Sequence, residues 1–191
     1  SGVALVDNIN RLIIQVMAAL ATGGAVVCSQ YIGKKEQEKA QKSGAQLETV
    51  LIIFAVAMMI ISLTCTRPLL GAIFGHVEES VMESAILYFM VTSVSFPFLG
   101  LYNAGAAIFR STGNSAISMK ISILMNIINV TGNAIFVFVC KWAVFGVAFA
   151  TLLSRVAAGF AMTALVCGKT NPIRIKRMSE FKPDGGIIRK I

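Results

Sequence analysis

Asn126 to Asn133 reads NIINVTGN, and it lies inside an apolar run that extends from about Ile117 to Cys140. Leucine, isoleucine and valine would suffice there, yet three asparagines interrupt them. At about 100° per residue Asn129 stands roughly 60° from Asn126, and Asn133 roughly 20° from it, so all three project from one helical face. An amide face on an apolar helix needs something polar to look at, and the rest of the chain says what.

Of 191 residues, 56% are hydrophobic, mean hydropathy is +0.77 and only 14% are charged. A soluble domain carries about a quarter of its residues charged. Five apolar runs, roughly Leu12 to Ile32, Thr49 to Thr66, Ser84 to Phe109, Ile117 to Cys140 and Trp142 to Gly168, reach or approach the length that crosses a bilayer. The composition predicts an all-α, polytopic helix bundle over 1–168 followed by a charged tail, 169–191. The opening SGVALVDN has no basic region before a small-residue cleavage site, so it is not a secretory signal. It also lacks an initiator Met, and the chain reads as an excerpt.

The net charge of +8 is sorted by side rather than gathered into a nucleic-acid patch. Lys34, Lys35, Lys39 and Lys42 follow run one, Arg110 and Lys120 follow run three, and the tail holds seven more from Lys169 to Lys190. Arg11, Arg67 and Lys141 stand at the opposite ends. The positive-inside rule then expects the tail in the cytoplasm and the chain start outside. A protein that begins in the cytoplasm would need an odd number of spans before Ser1.

Local signals refine the runs. Asp7, Asn8 and Asn10 offer caps near the outer end of run one, and Gly33 is its expected stop. Glu36 with Lys39, and Glu38 with Lys42, are spaced for helical ion pairs, which predicts a surface helix or an extension of the next span. Pro97, in SVSFPFLG, predicts a kink or unwinding near the middle of run three, and it is the candidate hinge. The small residues of GLYNAGAAIF, which follows it, let another helix approach closely. Cys28, Cys65, Cys140 and Cys167 lie in or at the ends of apolar runs without a CxxC, and read as structural thiols.

Runs four and five are joined by a very short turn around Lys141 and Trp142, so they are adjacent and antiparallel. Measured from that end, Asn133 lies roughly 10 Å down, Thr151 roughly 13 Å, Asn129 roughly 16 Å, Arg155 roughly 20 Å and Asn126 roughly 21 Å. Polar groups of the two helices therefore match in level. Arg155 is an ionised group near the centre of an apolar run, at a cost of about 2.5 to 3.5 kcal/mol, so it needs a partner and is a site candidate. Glu48 stands at a cytoplasmic end on this reading, which leaves Asn126 and carbonyls, or a group outside the chain, to balance Arg155. Catalysis finds no support: the single His, His76, sits in an outer link beside Glu78 and Glu79, and no Ser-His-Asp candidate set, phosphate loop or metal spacing is present.

ALATGGAVVCSQYIGKKEQEKA, FRSTGNSAISMKISILMNIINVTGNAIFVFV and VFGVAFATLLSRV, in this order and spacing, resemble the second, fourth-to-fifth and sixth helices of the multidrug and toxic compound extrusion (MATE) transporters. The resemblance implies half of a two-lobed, twelve-helix membrane protein that is not an enzyme, exporting organic cations in antiport with H⁺ or Na⁺ and needing no other cofactor. It implies a multi-pass protein of the plasma (inner) membrane, whose partners are the bilayer, small organic substrates, and a first helix and second lobe outside this chain. KRMSEFKPDGGIIRKI would begin the linker between lobes. Residue by residue, Asn129, Asn133 and Thr151 fall where the family places its first-lobe cation site, with an amide at Asn133 where the family has a carboxylate. Arg155 and Asn126 are the candidates for coupling or counter-ion. Two rivals remain at this point: a lipid-linked oligosaccharide flippase of the same superfamily, which would line its cavity with several Arg or Lys, and a non-transporting structural subunit.

Overall fold

A computed structural model describes residues 2–75, 78–168 and 186, and among them the regular structure is entirely helical. Seven α-helices follow in order: α1 Gly2–Gly33, α2 Gln37–Thr64, α3 Thr66–Phe74, α4 Glu79–Val94, α5 Phe96–Ser111, α6 Ser115–Ala134 and α7 Ala143–Val166. A π-helical turn, Ile135–Val139, extends α6. Four of these helices are long and apolar enough to cross a membrane, and α4 with α5 makes a fifth crossing when the bent pair counts as one span.

Two expectations change, the caps in run one and the place of Glu48, while the bend in run three and the extension of the next span are as expected. Helix α1 begins at Gly2, so Asp7, Asn8 and Asn10 lie inside it rather than capping it. Two of these find partners on a neighbouring helix instead: Asn10 Nδ2 donates to Thr92 Oγ1 at 3.3 Å, and Tyr88 donates its hydroxyl to Asp7 Oδ1 at 2.9 Å. Run three is two helices bent by 46°, and the break falls at Ser95, two residues before Pro97. Pro97 occupies the first turn of α5, where a missing N–H removes no bond of that helix, while its ring bars α4 from continuing. The polar link after α1 is an extension of the next span, because α2 starts at Gln37, with Lys39 Nζ 3.0 Å from Glu36 Oε2. Glu48 therefore lies about 16 Å along α2, not at its end, and is 4% exposed.

The core is divided along the bundle's length. Val6, Leu70, Tyr88, Phe89 and Ala148 pack at the end where α1 begins, Met17, Leu47, Leu51, Phe96 and Leu99 in the middle, and Cys28, Ala45, Ile108, Met162 and Val166 at the other end. Small residues set the helix spacing. A Cβ added to Gly159 of α7 would come within 2.7 Å of the Phe98 carbonyl oxygen, so only glycine lets α7 meet α5 there. Leu12, Val130 and Phe138 point outward, exposed by 64%, 67% and 79%, as side chains facing lipid would.

The turn from α6 to α7 is tight enough to put Lys141 and Ala143 at positive φ, 56° and 41°. Over it the Phe136 ring stacks on Trp142 with centroids 5.4 Å apart, and Phe149 meets both edge-on. An aromatic cluster at a span's end suits the membrane interface, where apolar rings meet water. Cys28 is buried as a packing thiol, whereas Cys65, Cys140 and Cys167 are exposed. The tail reading for 169–191, Gly186 aside, and His76 lie outside the described residues.

Candidate functional site

Antiparallel packing of α6 on α7 turns the asparagine face of α6 toward α7. The result is a chain of hydrogen bonds. Asn133 Nδ2 donates to Asn129 Oδ1 at 3.3 Å, Asn129 Nδ2 donates to Thr151 Oγ1 at 3.2 Å, and Thr151 donates back to the Val147 carbonyl at 3.0 Å. Asn133 Oδ1 is buried with no partner among the described residues, so this chain ends in an unused acceptor. Burying an amide oxygen without a partner costs about 1 to 3 kcal/mol, which makes it a place for a donor or a cation to enter.

One helical turn further in, a cavity of about 250 Å³ opens between α4, α6 and α7, lined by Tyr88, Met125, Asn126, Asn129, Thr151, Ser154 and Arg155. Asn126, Asn129, Thr151 and Arg155, singled out in the sequence, thus share one cavity. Asn133 joins them through Asn129, outside the cavity wall. Arg155 does not use Asn126 as its hydrogen-bond partner: its Nη1 donates to Ser95 Oγ at 2.8 Å. Ser95 is buried, and it is the residue at the break between α4 and α5. The bend thus carries the hydroxyl that receives the intramembrane charge. Pro97 lies in the turn beyond it and does not line the cavity.

Sequence reasoning missed four members. Asp7 and Tyr88 are joined to each other, Tyr88 in the cavity wall and Asp7 behind it. Ser95 holds Arg155, and Ser154, whose hydroxyl donates to the Thr151 carbonyl at 2.9 Å, completes the wall. Their signal was present: Tyr88, Thr92 and Ser95 are spaced i, i+4, i+7, which puts three hydroxyls on one stripe of an apolar helix. Among the described residues no group of three or more His, Cys, Asp or Glu is placed to hold a metal ion. Neutral oxygens, one guanidinium and a carboxylate one residue behind it are what the site can offer to a moving solute or ion.

The fold is shared with solved transporters. Over 93% of this chain, a structure described as the inward-facing conformation of a multidrug resistance MATE family transporter of the MOP superfamily superposes with a TM-score of 0.85 at 24% identity. The outward-facing conformation of such a transporter superposes over 99% with a TM-score of 0.90 at 23% identity. In sequence, the chain is 26% identical over 170 residues to the uncharacterized transporter YisQ of Bacillus subtilis (strain 168), covering 87% of this chain. It spans 37% of that relative, and 40% and 42% of the two solved chains. The MatE family model matches residues 1–135, more than two thirds of the sequence, and the chain belongs to that family.

Proposed function

We propose that this chain is one lobe of a secondary active transporter that exports small organic solutes by alternating access, with H⁺ or Na⁺ moving the opposite way. The observation that carries this reading is the polar cavity itself. An apolar bundle has placed an arginine, two asparagines, a threonine and a serine around about 250 Å³ at mid-span. Polar groups at that depth are costly, and they mark pathways rather than packing. Likeness to solved structures described as inward-facing and outward-facing supports alternating access, since the two differ in which side the cavity meets. Both are described as multidrug resistance transporters, which supports organic solutes as cargo. The second lobe and one more helix would close the cavity, in a plasma membrane with the chain start outside and the tail in the cytoplasm.

Of the two ions, the site favours H⁺. Asn129, Asn133 and Thr151 offer neutral oxygens, two of them already used by one another. A hard cation such as Na⁺ prefers carboxylate among its oxygen ligands. Asp7, which accepts the Tyr88 hydroxyl at 2.9 Å behind the cavity wall, is the carboxylate nearest this cluster along α1 and α4.

The test is reconstitution of the full-length protein in vesicles, with dyes of both charges and either a pH or a Na⁺ gradient. Gradient-dependent dye movement that requires the protein supports the reading. A folded protein that moves none of them under either gradient favours a structural subunit in which the asparagines only join helices.

A further inference from the structure

The MATE resemblance implies organic cations as cargo, and the cavity of this lobe carries the opposite sign. None of its lining residues is acidic, and one is Arg155. A guanidinium has five N–H donors in a planar fork, of which Ser95 takes one through Nη1. Lys39 pairs with Glu36 far along the chain from Arg155. Asp7 accepts the Tyr88 hydroxyl and stands outside the cavity wall. Among the described residues Ser95 is the acceptor that holds Arg155, and the guanidinium lines the cavity.

The rest of the wall fits the same partner. Asn126 is exposed, makes no side-chain hydrogen bond among the described residues, and projects from the same face as Asn129. Asn129 Nδ2 and the Thr151 and Ser154 hydroxyls are already committed to protein acceptors. The Tyr88 and Met125 side chains add apolar surface beside the guanidinium. A planar cationic fork, an adjacent amide donor and flanking apolar surface recognise an oxyanion attached to an apolar body.

We propose that the cavity bounded by α4, α6 and α7 is a subsite for the carboxylate or phosphate of an organic solute, held by Arg155 and Asn126. The proposal rests on the transport reading and names the charge class of its cargo. Ser95 then fixes one edge of the guanidinium so that the other edge faces the cavity. A substrate of this class carries its negative charge to the level where the membrane otherwise penalises it most, and pairs it there with the one cation lining the cavity.

The experiment uses the full-length protein in phosphatidylcholine nanodiscs, with benzoate, phenyl phosphate and trimethylphenylammonium as probes and thermal unfolding as readout. Both anions are expected to raise the melting temperature and the ammonium probe to leave it unchanged. Arg155→Gln keeps a donor for Ser95 and should weaken anion binding about tenfold or more, with Asn126→Leu weakening it less. If Arg155→Gln fails to fold, Asn126→Leu and Arg155→Lys carry the test, the lysine variant losing the fork but keeping the charge. Stabilisation by the ammonium probe instead, or anion binding indifferent to all three variants, overturns the subsite. Stabilisation only by phosphatidic acid added to the nanodiscs would assign the charge to a lipid headgroup and overturn the solute reading. Arg155-dependent anion binding in a protein that moves nothing under either gradient would keep the subsite and remove the transport reading.

Discussion

Arg155 of α7 donates to Ser95 at 2.8 Å, and Ser95 is the residue at which α4 breaks from α5. The intramembrane charge and the bend are thus one structure. Removing the acceptor leaves a half-buried donor of a charged group without its partner. Ser95→Ala should cost about 1.5 to 3 kcal/mol, read as a lower midpoint in thermal or denaturant unfolding of the full-length protein. An unchanged midpoint would mean that water serves Arg155 as well as Ser95 does.

Pro97 stops α4 without weakening α5, because it sits in the first turn. Pro97→Ala would restore an N–H that can bond back to the Ser93 carbonyl and reduce the 46° bend. Slower turnover with equal or higher stability is expected if the bend is a hinge. Unchanged turnover would assign the proline to packing.

Gly159 has no room for a side chain, with the Phe98 carbonyl 2.7 Å from where a Cβ would stand. That neighbour is backbone and yields only if α5 and α7 separate. Gly159→Ala should therefore destabilise by about 1 to 3 kcal/mol, whereas Gly33→Ala, where nothing lies within 4 Å, should be close to neutral. Comparing the unfolding midpoints of the two variants checks this.

Asn133 ends the hydrogen-bond chain with a buried, unused oxygen. Asn133→Asp would place a charge at that point, beside Asn129 and two hydrogen bonds from Thr151. The variant should gain thermal stabilisation by sodium over choline salts, which the parent protein should lack. Equal response of the two proteins would remove the cluster as an ion site.

Much of this was legible in the residues. Hydropathy sets the spans wherever a run is apolar on all sides, and the 3.6-residue period alone gathers Asn126, Asn129 and Asn133 on one face. Depth counting put Thr151 and Arg155 at matching levels because a short turn fixes the register of α6 against α7. What escaped depends on contacts between helices distant in sequence. Asp7 looks like a cap because caps and buried polar residues share the same chemistry; only Tyr88, eighty-one residues away, distinguishes them. Glu48 looked like a span boundary because charge usually marks one, yet α2 extends back past it to Gln37. The break at Ser95 was displaced from Pro97 because a proline disturbs the turn before it, not the turn after.

Orientation rests on charge sorting and is open to direct labelling. Single cysteines introduced between Lys34 and Lys42 should react with impermeant thiol reagents only from the cytoplasmic side, and one at Glu78 only from outside, in a background with the native cysteines removed. The reverse pattern would invert the chain.

The central claim is that the Asn129 and Thr151 cluster serves coupled transport rather than helix adhesion alone. An adhesive bond of this kind is worth about 0.6 kcal/mol, so breaking it should scarcely affect folding. The direct measurement is proton release from everted vesicles containing the full-length protein when solute is added under an imposed pH gradient, compared between the parent and Asn129→Leu. Solute-dependent proton release that is lost in a variant with an unchanged unfolding midpoint is the predicted result. Release that persists in Asn129→Leu, or solute movement driven by Na⁺ at fixed pH, would contradict it.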